Sequence, residues 1–427
     1  MLAVPPDKSI SHRAVMFASI AKGKSTVKNL LLAADTISTL NAMKLLGAQM
    51  NGFGKQTDVP GLGTYFENYE ITGAGLRGLK NPGKEIDCGN SGTTMRLLSG
   101  LLAGNPFRSV LVGDESLSKR PMGRVIKPLS LMGAKIKATV DDKYPPLEID
   151  GGPLTAIEYD MPVASAQVKS ALILAGLYAN GETIIREPHP SRDHTEKMLS
   201  AMGAGLRSKN NEIRVKGPSQ ELAPFNIIVP GDFSSAAFFL VGALITENSE
   251  AHINNVCLNP TRTGLLNILE AMGAKIETEN RREVSGEIVG DLHVKGAQKL
   301  KAVKVDGARV PLMIDELPIL FIACACAEGR SEIRGAAELR VKESDRIKAM
   351  ADGLKAMGVK VEEFEDGLAI TGGKLKPAKI NSFGDHRIAM SFAIAALAAK
   401  GVTDIEGAEC VAISYPEFFD TLNELRY

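Results

Sequence analysis

The stretch from Asp7 to Val27 reads DKSISHRAVMFASIAKGKSTV and contains the unit from which the chain is built. Its first seven residues bring a carboxylate, two hydroxyls, an imidazole and two cations to the start of an apolar helix. We expect that helix to end near Lys22, where Gly23 turns the chain into a short strand. The helix start offers unpaired N–H groups and the positive end of a dipole, so it attracts anions. A capped helix start with solvated charges explains the same residues equally well.

This unit of apolar helix, Gly or Asn turn and β-branched strand recurs six times. The turn residue is expected to form a left-handed C-cap in each copy. A second class of helix, ending in Met-Gly-Ala or a close variant, lies between the copies. The helices of the first class are predicted at 11–22, 93–103, 167–179, 234–244, 315–327 and 386–399.

These repeats predict an α/β fold of two similar lobes, each of three units. Residues 7–229 form the first lobe, and residues 1–6 with 230–427 form the second. The helix at 418–425 lacks a following strand, which Leu2-Ala3-Val4 is expected to supply.

Composition narrows the class of protein. The 427 residues carry 50 Lys and Arg against 50 Asp and Glu, so an anion site must be local. Aromatic residues make up 5% with no Trp, which argues against nucleic-acid partners. The apolar run 317–327 is too short to cross a membrane, and Met1 leads into the fold without a secretory leader. Five cysteines without metal-ligand spacing indicate a reducing, cytoplasmic compartment.

Polar residues concentrate just before the helices. Caps explain the Ser, Thr and Asp there, but a cation at a helix N-terminus opposes the dipole, and repeated exceptions point to a site. No nucleotide-binding glycine motif or metal-ligand motif is present, so neither a cofactor nor a metal is predicted. The cation-containing helix starts are 7–13, 89–96, 117–122, 165–169, 192–194, 342–346 and 384–387, with Arg262.

Two segments carry carboxylates among these cations. Asp315 and Glu316 precede a very apolar helix, so a carboxylate there is expected to be partly buried and to need cations. Lys342 and Arg346 would share one helix face if the helix began by Lys342.

Six of these motifs resemble the 5-enolpyruvylshikimate-3-phosphate synthase family, in the family's order along nearly the whole chain. In that family each lobe contains three βαβαββ units, an inside-out α/β barrel, and the lobes close over the substrates. The matching motifs are DKSISHR (7–13), GNSGTTMR (89–96), LSKRPM (117–122), SAQVKSA (165–171), RVKESDR (340–346) and GDHRIAM (384–390).

The resemblance implies a cytoplasmic, monomeric enzyme of the shikimate pathway without cofactor or metal. It would transfer the carboxyvinyl group of phosphoenolpyruvate to the 5-hydroxyl of 3-phosphoshikimate and release phosphate. Asp315 and Glu343 would carry out the proton transfers, with Lys8 beside them as the third catalytic residue. The implied 3-phosphoshikimate contacts are Lys8, Ser9, Arg13, Ser165, Ala166, Gln167, Arg192, Asp315 and Lys342, and the phosphoenolpyruvate contacts are Lys8, Gly92, Arg120, Gln167, Arg346 and Arg387.

Three departures from the family pattern suggest its second class. Pro6 replaces a Gly, Ala166 replaces the second Ser of Ser-Ser-Gln, and Ile413 stands where some members have a Lys. Gly92 is the unbulked form at a position where Ala would crowd glyphosate, an inhibitor that mimics phosphoenolpyruvate. The sequence does not give the sensitivity to it.

Two other functions stay open. The sister enolpyruvyl transferase acting on UDP-N-acetylglucosamine shares the repeat, but it typically has Lys-Asn in the first motif and a reactive Cys in a loop, where this chain has Lys8-Ser9 and no Cys at 113–121. A non-catalytic phosphometabolite-binding protein would explain the cations but not Asp315 and Glu343 beside them.

Overall fold

The computed structural model describes residues 1–59, 61–296 and 299–425. The chain divides into two compact units, residues 6–229 and residues 1–5 with 230–427, which are called the N-terminal and C-terminal units below. Within the described ranges, no helix combines the length and apolar character needed to cross a membrane.

Helices occur in both units, and three short 3-10 segments lie at Val310–Leu312, Ala337–Val341 and Ala408–Ile413. The helices of the described residues are α1 (Lys8–Ile20), α2 (Ala34–Leu45), α3 (Gly92–Ala103), α4 (Glu115–Ser118), α5 (Gly123–Leu131), α6 (Thr139–Asp142), α7 (Ala166–Gly176), α8 (His194–Ala201), α9 (Phe233–Ile245), α10 (Gly264–Ala271), α11 (Leu317–Cys326), α12 (Arg346–Ala356), α13 (His386–Ala398) and α14 (Phe418–Glu424).

The strands form small sheets, one for each predicted repeat. They are β1 (Leu2–Ala3), β2 (Lys22–Lys28), β3 (Gln49–Val59), β4 (Gly63–Ala74), β5 (Ile86–Asp87), β6 (Arg108–Val112), β7 (Lys135–Ala138), β8 (Tyr144–Asp150), β9 (Glu158–Asp160), β10 (Gly181–Arg186), β11 (Leu206–Lys209), β12 (Glu212–Gly217), β13 (Asn226–Ile228), β14 (Glu250–Cys257), β15 (Ile276–Val284), β16 (Glu287–Lys295), β17 (Lys304–Val305), β18 (Arg330–Ile333), β19 (Lys360–Phe364), β20 (Gly367–Thr371), β21 (Lys379–Asn381) and β22 (Asp404–Glu406).

Each sheet begins with a short edge strand parallel to its neighbour, and five of the sheets in the described residues continue with two antiparallel strands. The N-terminal unit contains the orders β13-β2-β4-β3, β5-β6-β8-β7 and β9-β10-β12-β11. The C-terminal unit contains β1-β14-β16-β15, β17-β18-β20-β19 and the pair β21-β22. This repeated mixed α/β arrangement confirms the predicted fold class.

The first-class helices are α1, α3, α7, α9, α11 and α13, and most of their residues are buried. A helix that is apolar on all sides must be covered on all sides. Five of the six are capped by a side chain that accepts a hydrogen bond from the first turn. The capping residues are Asp7, Ser91, Ser165, Asp232 and Asp385.

The left-handed C-cap expected in each first-class copy is not present throughout that class, whereas a glycine with positive φ follows five helices of the second class. The glycines after α2, α5, α8, α10 and α12 all have positive φ, between 83° and 101°. In the first class, Gly104 has φ −90°, so the prediction is wrong there. The C-caps of α1, α9, α11 and α13 are extended, because those helices end before the turn residue and pass directly towards a strand.

The N-terminal strand lies in the same compact unit as α14, and the sequence did not specify which strand it pairs with. Leu2 and Ala3 pair in parallel with Ile253 and Asn254 of β14, so β1 completes the sheet that follows α9. The β13 strand, which directly precedes α9 in sequence, pairs instead with β2. The two edge strands are therefore exchanged at the points where the chain passes from one unit to the other.

Candidate functional site

The first helix start of the N-terminal unit holds a lysine against a buried carboxylate. Asp7 caps α1 by accepting from the Ile10 N–H at 2.8 Å, which places Lys8 at the first helical position. Lys8 Nζ lies 3.1 Å from Asp35 Oδ2, at the start of α2. This pair fixes an ammonium group at the positive end of a helix, where an anion is favoured.

Arg13 connects three helices through neutral oxygens. Its guanidinium donates to the Thr195 hydroxyl at 2.7 Å, the Ser170 hydroxyl at 2.8 Å and the Ser9 carbonyl at 3.0 Å. Arg192 in turn donates to the Ser9 hydroxyl at 2.9 Å. The predicted residues Ser9, Arg13 and Arg192 are thus brought together, and their donors are held in fixed directions.

Gln167 and the start of α3 form a second group in this unit. The Gln167 amide donates to the Thr93 hydroxyl at 2.9 Å and accepts from Arg96 Nη1 at 2.7 Å. Gly92 opens α3 beside them. A methyl group added to Gly92 would lie 2.7 Å from Arg96 Nη1 and 3.6 Å from Arg120 Nη1, so the glycine leaves room for both guanidinium groups.

Arg120 and Ser165 complete the predicted residues of the N-terminal unit. Arg120 is buried and donates to the Asn90 amide oxygen at 2.5 Å and to the Ser116 hydroxyl at 3.1 Å. Ser165 caps α7 and precedes Ala166, the first helical residue. The missing hydroxyl at Ala166 therefore leaves this helix start with the one hydroxyl of Ser165.

A buried chain of side-chain hydrogen bonds connects the start of α1 to the start of α3. His12 Nδ1 lies 2.6 Å from Thr39 Oγ1, Thr39 lies 2.6 Å from Thr94 Oγ1, and Thr94 donates to Ser91 at 2.8 Å. Burial, followed by the charges of Lys8 and Arg13, holds the pKa of His12 well below its usual value. His12 is therefore a neutral imidazole that joins the starts of α1, α2 and α3, and its role is structural.

Lys169 lies in the first turn of α7 but faces a different cluster. Its ammonium contacts Glu187 and Glu196, each at 2.7 Å, and all three side chains are buried. Burial favours a lower pKa for Lys169, but the charges of Glu196 and Glu187 outweigh it and raise that pKa. Burial raises the pKa of Glu196, although the charge of Lys169 opposes this shift. Ser191, next to Arg192, donates to Glu187 and ties this cluster to the loop before α8.

The C-terminal unit gathers three cations around Asp315. Lys342 Nζ and Arg346 Nη1 each lie 3.6 Å from Asp315 Oδ1, and Arg262 Nη1 lies 3.9 Å from Oδ2. Arg346 also contacts Glu343 Oε2 at 2.6 Å. Asp315 and Glu343 are therefore two carboxylates joined through one buried guanidinium.

The predicted helical relation between Lys342 and Arg346 is wrong. The helix α12 begins at Arg346, and Lys342 follows the 3-10 segment Ala337–Val341 with an extended backbone. The two cations meet at Asp315 nevertheless, because the intervening turn brings both side chains to it.

Asp385 serves both as a helix cap and as a counter-ion. It accepts from the Arg387 N–H at 2.9 Å to cap α13, and from Arg346 Nε at 2.8 Å. Burial favours a lower pKa for Arg346, but the charges of Asp385 and Glu343 outweigh it and raise that pKa. A cation at the start of α12 is thus stabilised by the cap of the neighbouring helix, which resolves its conflict with the dipole.

Glu316 and Arg387 are both close to Asp315 but interact differently with it. Glu316 is fully buried, and Ser234 donates to it while Arg262 Nη2 lies 3.7 Å away. Burial raises the pKa of Glu316 despite the opposing charges of Arg262 and Arg387. Arg387 Nη1 donates to the Asp315 carbonyl at 2.9 Å. The expected cations around this segment are present, and Glu316 is more deeply buried than Asp315.

Sequence reasoning missed Asp35, Arg96 and Asp385 as site residues. Asp35 reads as an ordinary acidic residue in the first turn of a helix, and nothing in the sequence pairs it with Lys8. Arg96 and Asp385 lie inside the quoted motifs, so their position in a helix start was the available signal. Ile413 ends the 3-10 segment Ala408–Ile413 and offers an apolar side chain there.

Known proteins of one family are similar to this chain over nearly its full length. The family model described as EPSP synthase (3-phosphoshikimate 1-carboxyvinyltransferase) matches residues 1–422. A 3-phosphoshikimate 1-carboxyvinyltransferase of Thermodesulfovibrio yellowstonii is 52% identical, over 99% of this chain and 96% of that protein. One from Syntrophomonas wolfei is 51% identical, over 99% and 96%.

Two solved structures are also similar to this chain over nearly its full length. An EPSP synthase from Acinetobacter baumannii superposes with a TM-score of 0.85 at 48% identity, covering 99% of this chain and 95% of that one. The enolpyruvyl transferase NikO from Streptomyces tendae, at 16% identity and a TM-score of 0.73, shares the fold, with 99% and 94% coverage. With its helix starts, its repeated sheets and this full-length similarity, the chain belongs to the EPSP synthase (3-phosphoshikimate 1-carboxyvinyltransferase) family.

Proposed function

We propose that this chain transfers the carboxyvinyl group of phosphoenolpyruvate to the 5-hydroxyl of 3-phosphoshikimate, through the residues described above. The products are 5-enolpyruvylshikimate 3-phosphate and phosphate, in the shikimate pathway towards chorismate. The family description and the names of the relatives support this reaction. The two substrates carry two phosphates and two carboxylates, which suits a neutral chain whose cations are collected at helix starts.

The N-terminal unit supplies contacts to both substrates in this proposal. Ser9, Arg13 and Arg192 bind 3-phosphoshikimate together with the α7 start, formed by Ser165, Ala166 and Gln167. Support comes from the hydrogen bonds of Arg13 and Arg192, which hold both guanidinium groups beside Ser9. Of the residues proposed to hold phosphoenolpyruvate, Lys8, Gly92, Arg120 and Gln167 belong to this unit, and Arg346 and Arg387 belong to the C-terminal unit.

The C-terminal unit supplies the proton transfers. Asp315 accepts the proton of the 5-hydroxyl as its oxygen bonds to C2 of phosphoenolpyruvate, and Glu343 delivers a proton to the methylene carbon. Glu343, ionised by that step, then takes a proton back from the methyl carbon of the tetrahedral intermediate, and phosphate leaves with the proton held by Asp315, which restores the double bond and the starting form of both carboxyl groups. Lys342 contacts both Asp315 and, in this proposal, 3-phosphoshikimate, while Lys8 stabilises charge on the reacting groups.

One observation carries the assignment of these roles. Asp315 and Glu343 are both in contact with Arg346, at 3.6 and 2.6 Å, and both keep part of their surface exposed. Cations stabilise the ionised form of a carboxylate, which is the form in which Asp315 accepts the proton of the 5-hydroxyl and in which Glu343 takes back a proton from the methyl carbon. A protein that only bound phosphorylated metabolites would have no use for such carboxylates among its cations.

The test is Asp315→Asn, which preserves shape but removes the proton acceptor. We expect phosphate release from the two substrates to fall by about 10² to 10⁴-fold, while 3-phosphoshikimate still binds in calorimetry. Asp352→Asn, at an exposed ion pair of the same unit, is the matched control and should keep full turnover. Equal turnover of Asp315→Asn and the control would contradict the assignment.

The same assay separates the alternatives. A sister enzyme would turn over UDP-N-acetylglucosamine in place of 3-phosphoshikimate, and we expect no phosphate release with that acceptor. A binding protein would bind both ligands without any release of phosphate. Either result would replace the proposed reaction.

We further propose that the chain is a cytoplasmic monomer of the family's second class. Its five cysteines are free thiols, as a reducing compartment requires. Ala166 supports the second class. For glyphosate, we propose competition with phosphoenolpyruvate at Gly92, which is tested by inhibition constants of the unaltered chain and of Gly92→Ala.

A further inference from the structure

A cross-strand row of ionisable side chains lies on the sheet β1-β14-β16-β15 of the C-terminal unit. His252 of β14 is directly opposite His293 of β16, and His293 is directly opposite Glu277 of β15. Side chains alternate between the two faces of a strand, and the neighbours Ile253 and Leu292 are buried in the core. The two histidines and Glu277 therefore stand on the outer face.

The two imidazoles face each other and share a carboxylate. The rings of His252 and His293 stack with centroids 3.8 Å apart and planes 10° apart. Glu250 Oε1 lies 2.7 Å from His293 Nε2 and 3.5 Å from His252 Nε2. The potential ligand atoms of Glu250, His252 and His293 all lie within 4.8 Å of one another.

The other nitrogen of His293 is already oriented. Glu277 Oε2 lies 3.1 Å from His293 Nδ1 and can accept its proton, while Nε2 donates to Glu250 Oε1 at 2.7 Å; a metal ion would take the place of that Nε2 proton. A carboxylate on the second nitrogen of a histidine is the usual companion of a metal-ligating imidazole, because it fixes the tautomer and the ring.

From these contacts we propose that Glu250, His252 and His293 form a site for a divalent transition-metal ion, with Glu277 as the positioning residue. Imidazole and carboxylate ligands suit Zn²⁺, with a water molecule completing a tetrahedron. Bonds of about 2.0–2.2 Å require the stacked rings to splay by rotation about their side-chain torsions. Most of this rotation falls on His252, which is 44% exposed, because His293 is 13% exposed and is held by Glu250 and Glu277.

A second set of side chains around His293, on the side of Glu277, is a weaker candidate for a metal site. Glu277, Glu279 and His293 also lie within reach of one another, but that set offers one imidazole and two exposed carboxylates. Hard oxygen sets favour Mg²⁺ or Ca²⁺ over Zn²⁺. Two imidazoles on adjacent strands therefore favour the Glu250 side, and the ion would clip β14 to β16 away from the residues proposed for catalysis.

Calorimetric titration with Zn²⁺, on tag-free chain stripped with EDTA, tests the site. We expect one ion to bind and to raise the melting temperature with the logarithm of its concentration once that exceeds the dissociation constant. His252→Gln and His293→Gln should each weaken binding at least about tenfold. His189→Gln, an exposed histidine of the N-terminal unit, is the matched control and should leave the affinity unchanged.

Two variants test the proposed roles rather than the presence of binding. Glu277→Ala should weaken binding about tenfold or more, through loss of orientation at His293. Lys295→Gln should strengthen it, because Lys295 Nζ lies 3.9 Å from Glu250 Oε1 and competes with the ion. The side chains of His252, Glu277 and Lys295 are 44%, 71% and 73% exposed, so these variants should melt near the unaltered chain without zinc. His293 is 13% exposed, so the folding of His293→Gln is checked by its melting temperature without zinc before its affinity is compared.

Three outcomes would overturn the site. One is no binding at millimolar zinc, and another is unchanged affinity in both histidine variants. The third is loss of binding in His293→Gln but not in His252→Gln, which would move the ion to Glu277 and Glu279.

Discussion

Each unit contains a buried cation in contact with carboxylates. The two clusters differ in whether a ligand can reach those carboxylates. In the N-terminal unit, Lys169 contacts Glu187 and Glu196 at 2.7 Å each. In the C-terminal unit, Arg346 contacts Asp385 at 2.8 Å and Glu343 at 2.6 Å. Both cations lie in the first turn of a helix, so they are exceptions to the same local rule.

Exposure of the carboxylates distinguishes the clusters. Glu187 and Glu196 are 3% and 5% exposed, so no substrate can reach them in this conformation. Glu343 is 18% exposed and Asp315 12%, while Asp385 behind them is fully buried. A sealed ion cluster can act only on stability, whereas a cluster with an open carboxylate can also exchange protons with a ligand. The ion pair by itself therefore does not identify a site.

The largest expected effect is a loss of stability when the sealed cluster, formed by Lys169, Glu187 and Glu196, loses its cation. Lys169→Met leaves two buried carboxylates without their cation, and breaking a buried pair in this way costs about 3–5 kcal/mol. Urea unfolding should show that loss as a lower midpoint. Lys209→Met, an exposed lysine of the same unit, is the control. If the two variants unfold at the same midpoint, the sealed cluster is not a stabilising element.

A substitution in the open cluster, formed by Arg346, Asp315, Glu343 and Asp385, should lower turnover rather than stability. Glu343→Gln removes the group proposed to move protons at the methylene carbon, and we expect turnover to fall at least about a hundredfold, or about 2.7 kcal/mol of barrier. Its melting temperature should stay close to that of the unaltered chain, because the side chain is partly exposed.

Glu362→Gln, at an exposed ion pair of the C-terminal unit, is the matched control for both measurements. The proposed difference between the two clusters is contradicted if Glu343→Gln loses as much stability as Lys169→Met and retains its turnover. That result would make the open cluster structural as well.

The fold could be predicted from the sequence because its pattern is local. The apolar helices, their caps and the Met-Gly turns lie within short segments, and five of the six first-class helices begin with a side-chain cap. The partner of β1 could not be predicted in this way. Leu2 pairs with Ile253, and no local pattern distinguishes one parallel edge from another.

The candidate site could be predicted only in part, for the same reason. Lys8, Arg346 and Arg387 were identified as unusual cations at helix starts, but their counter-ions come from elsewhere in the chain. Lys169 belonged to the same predicted group, yet its partners Glu187 and Glu196 make it part of a sealed cluster. Those long-range contacts decide whether a charge is available to a ligand, and a single sequence does not contain them.

The smallest expected effect concerns the pH dependence of the sealed cluster. Burial raises the pKa of Glu196 in the folded chain above its value in the unfolded chain. Between the unfolded value, about 4.3, and the raised value, the folded chain therefore holds a proton that the unfolded chain has lost. Stability from this group is fully present below the unfolded pKa and decreases as the pH rises through the folded one.

Glu196→Gln cannot titrate, so it removes this slope. We expect the free energy of unfolding of the unaltered chain, measured with urea from pH 4 upwards, to fall relative to that of Glu196→Gln as the pH rises. The raised pKa of Lys169 adds no slope in the acidic range, because that group stays charged in both states. Glu182→Gln, at an exposed pair of the same unit, controls for the removal of a carboxylate. A constant difference between the two curves would mean that Glu196 is ionised throughout. One ammonium would then face two ionised carboxylates, and the three side chains of the sealed cluster would carry a net negative charge.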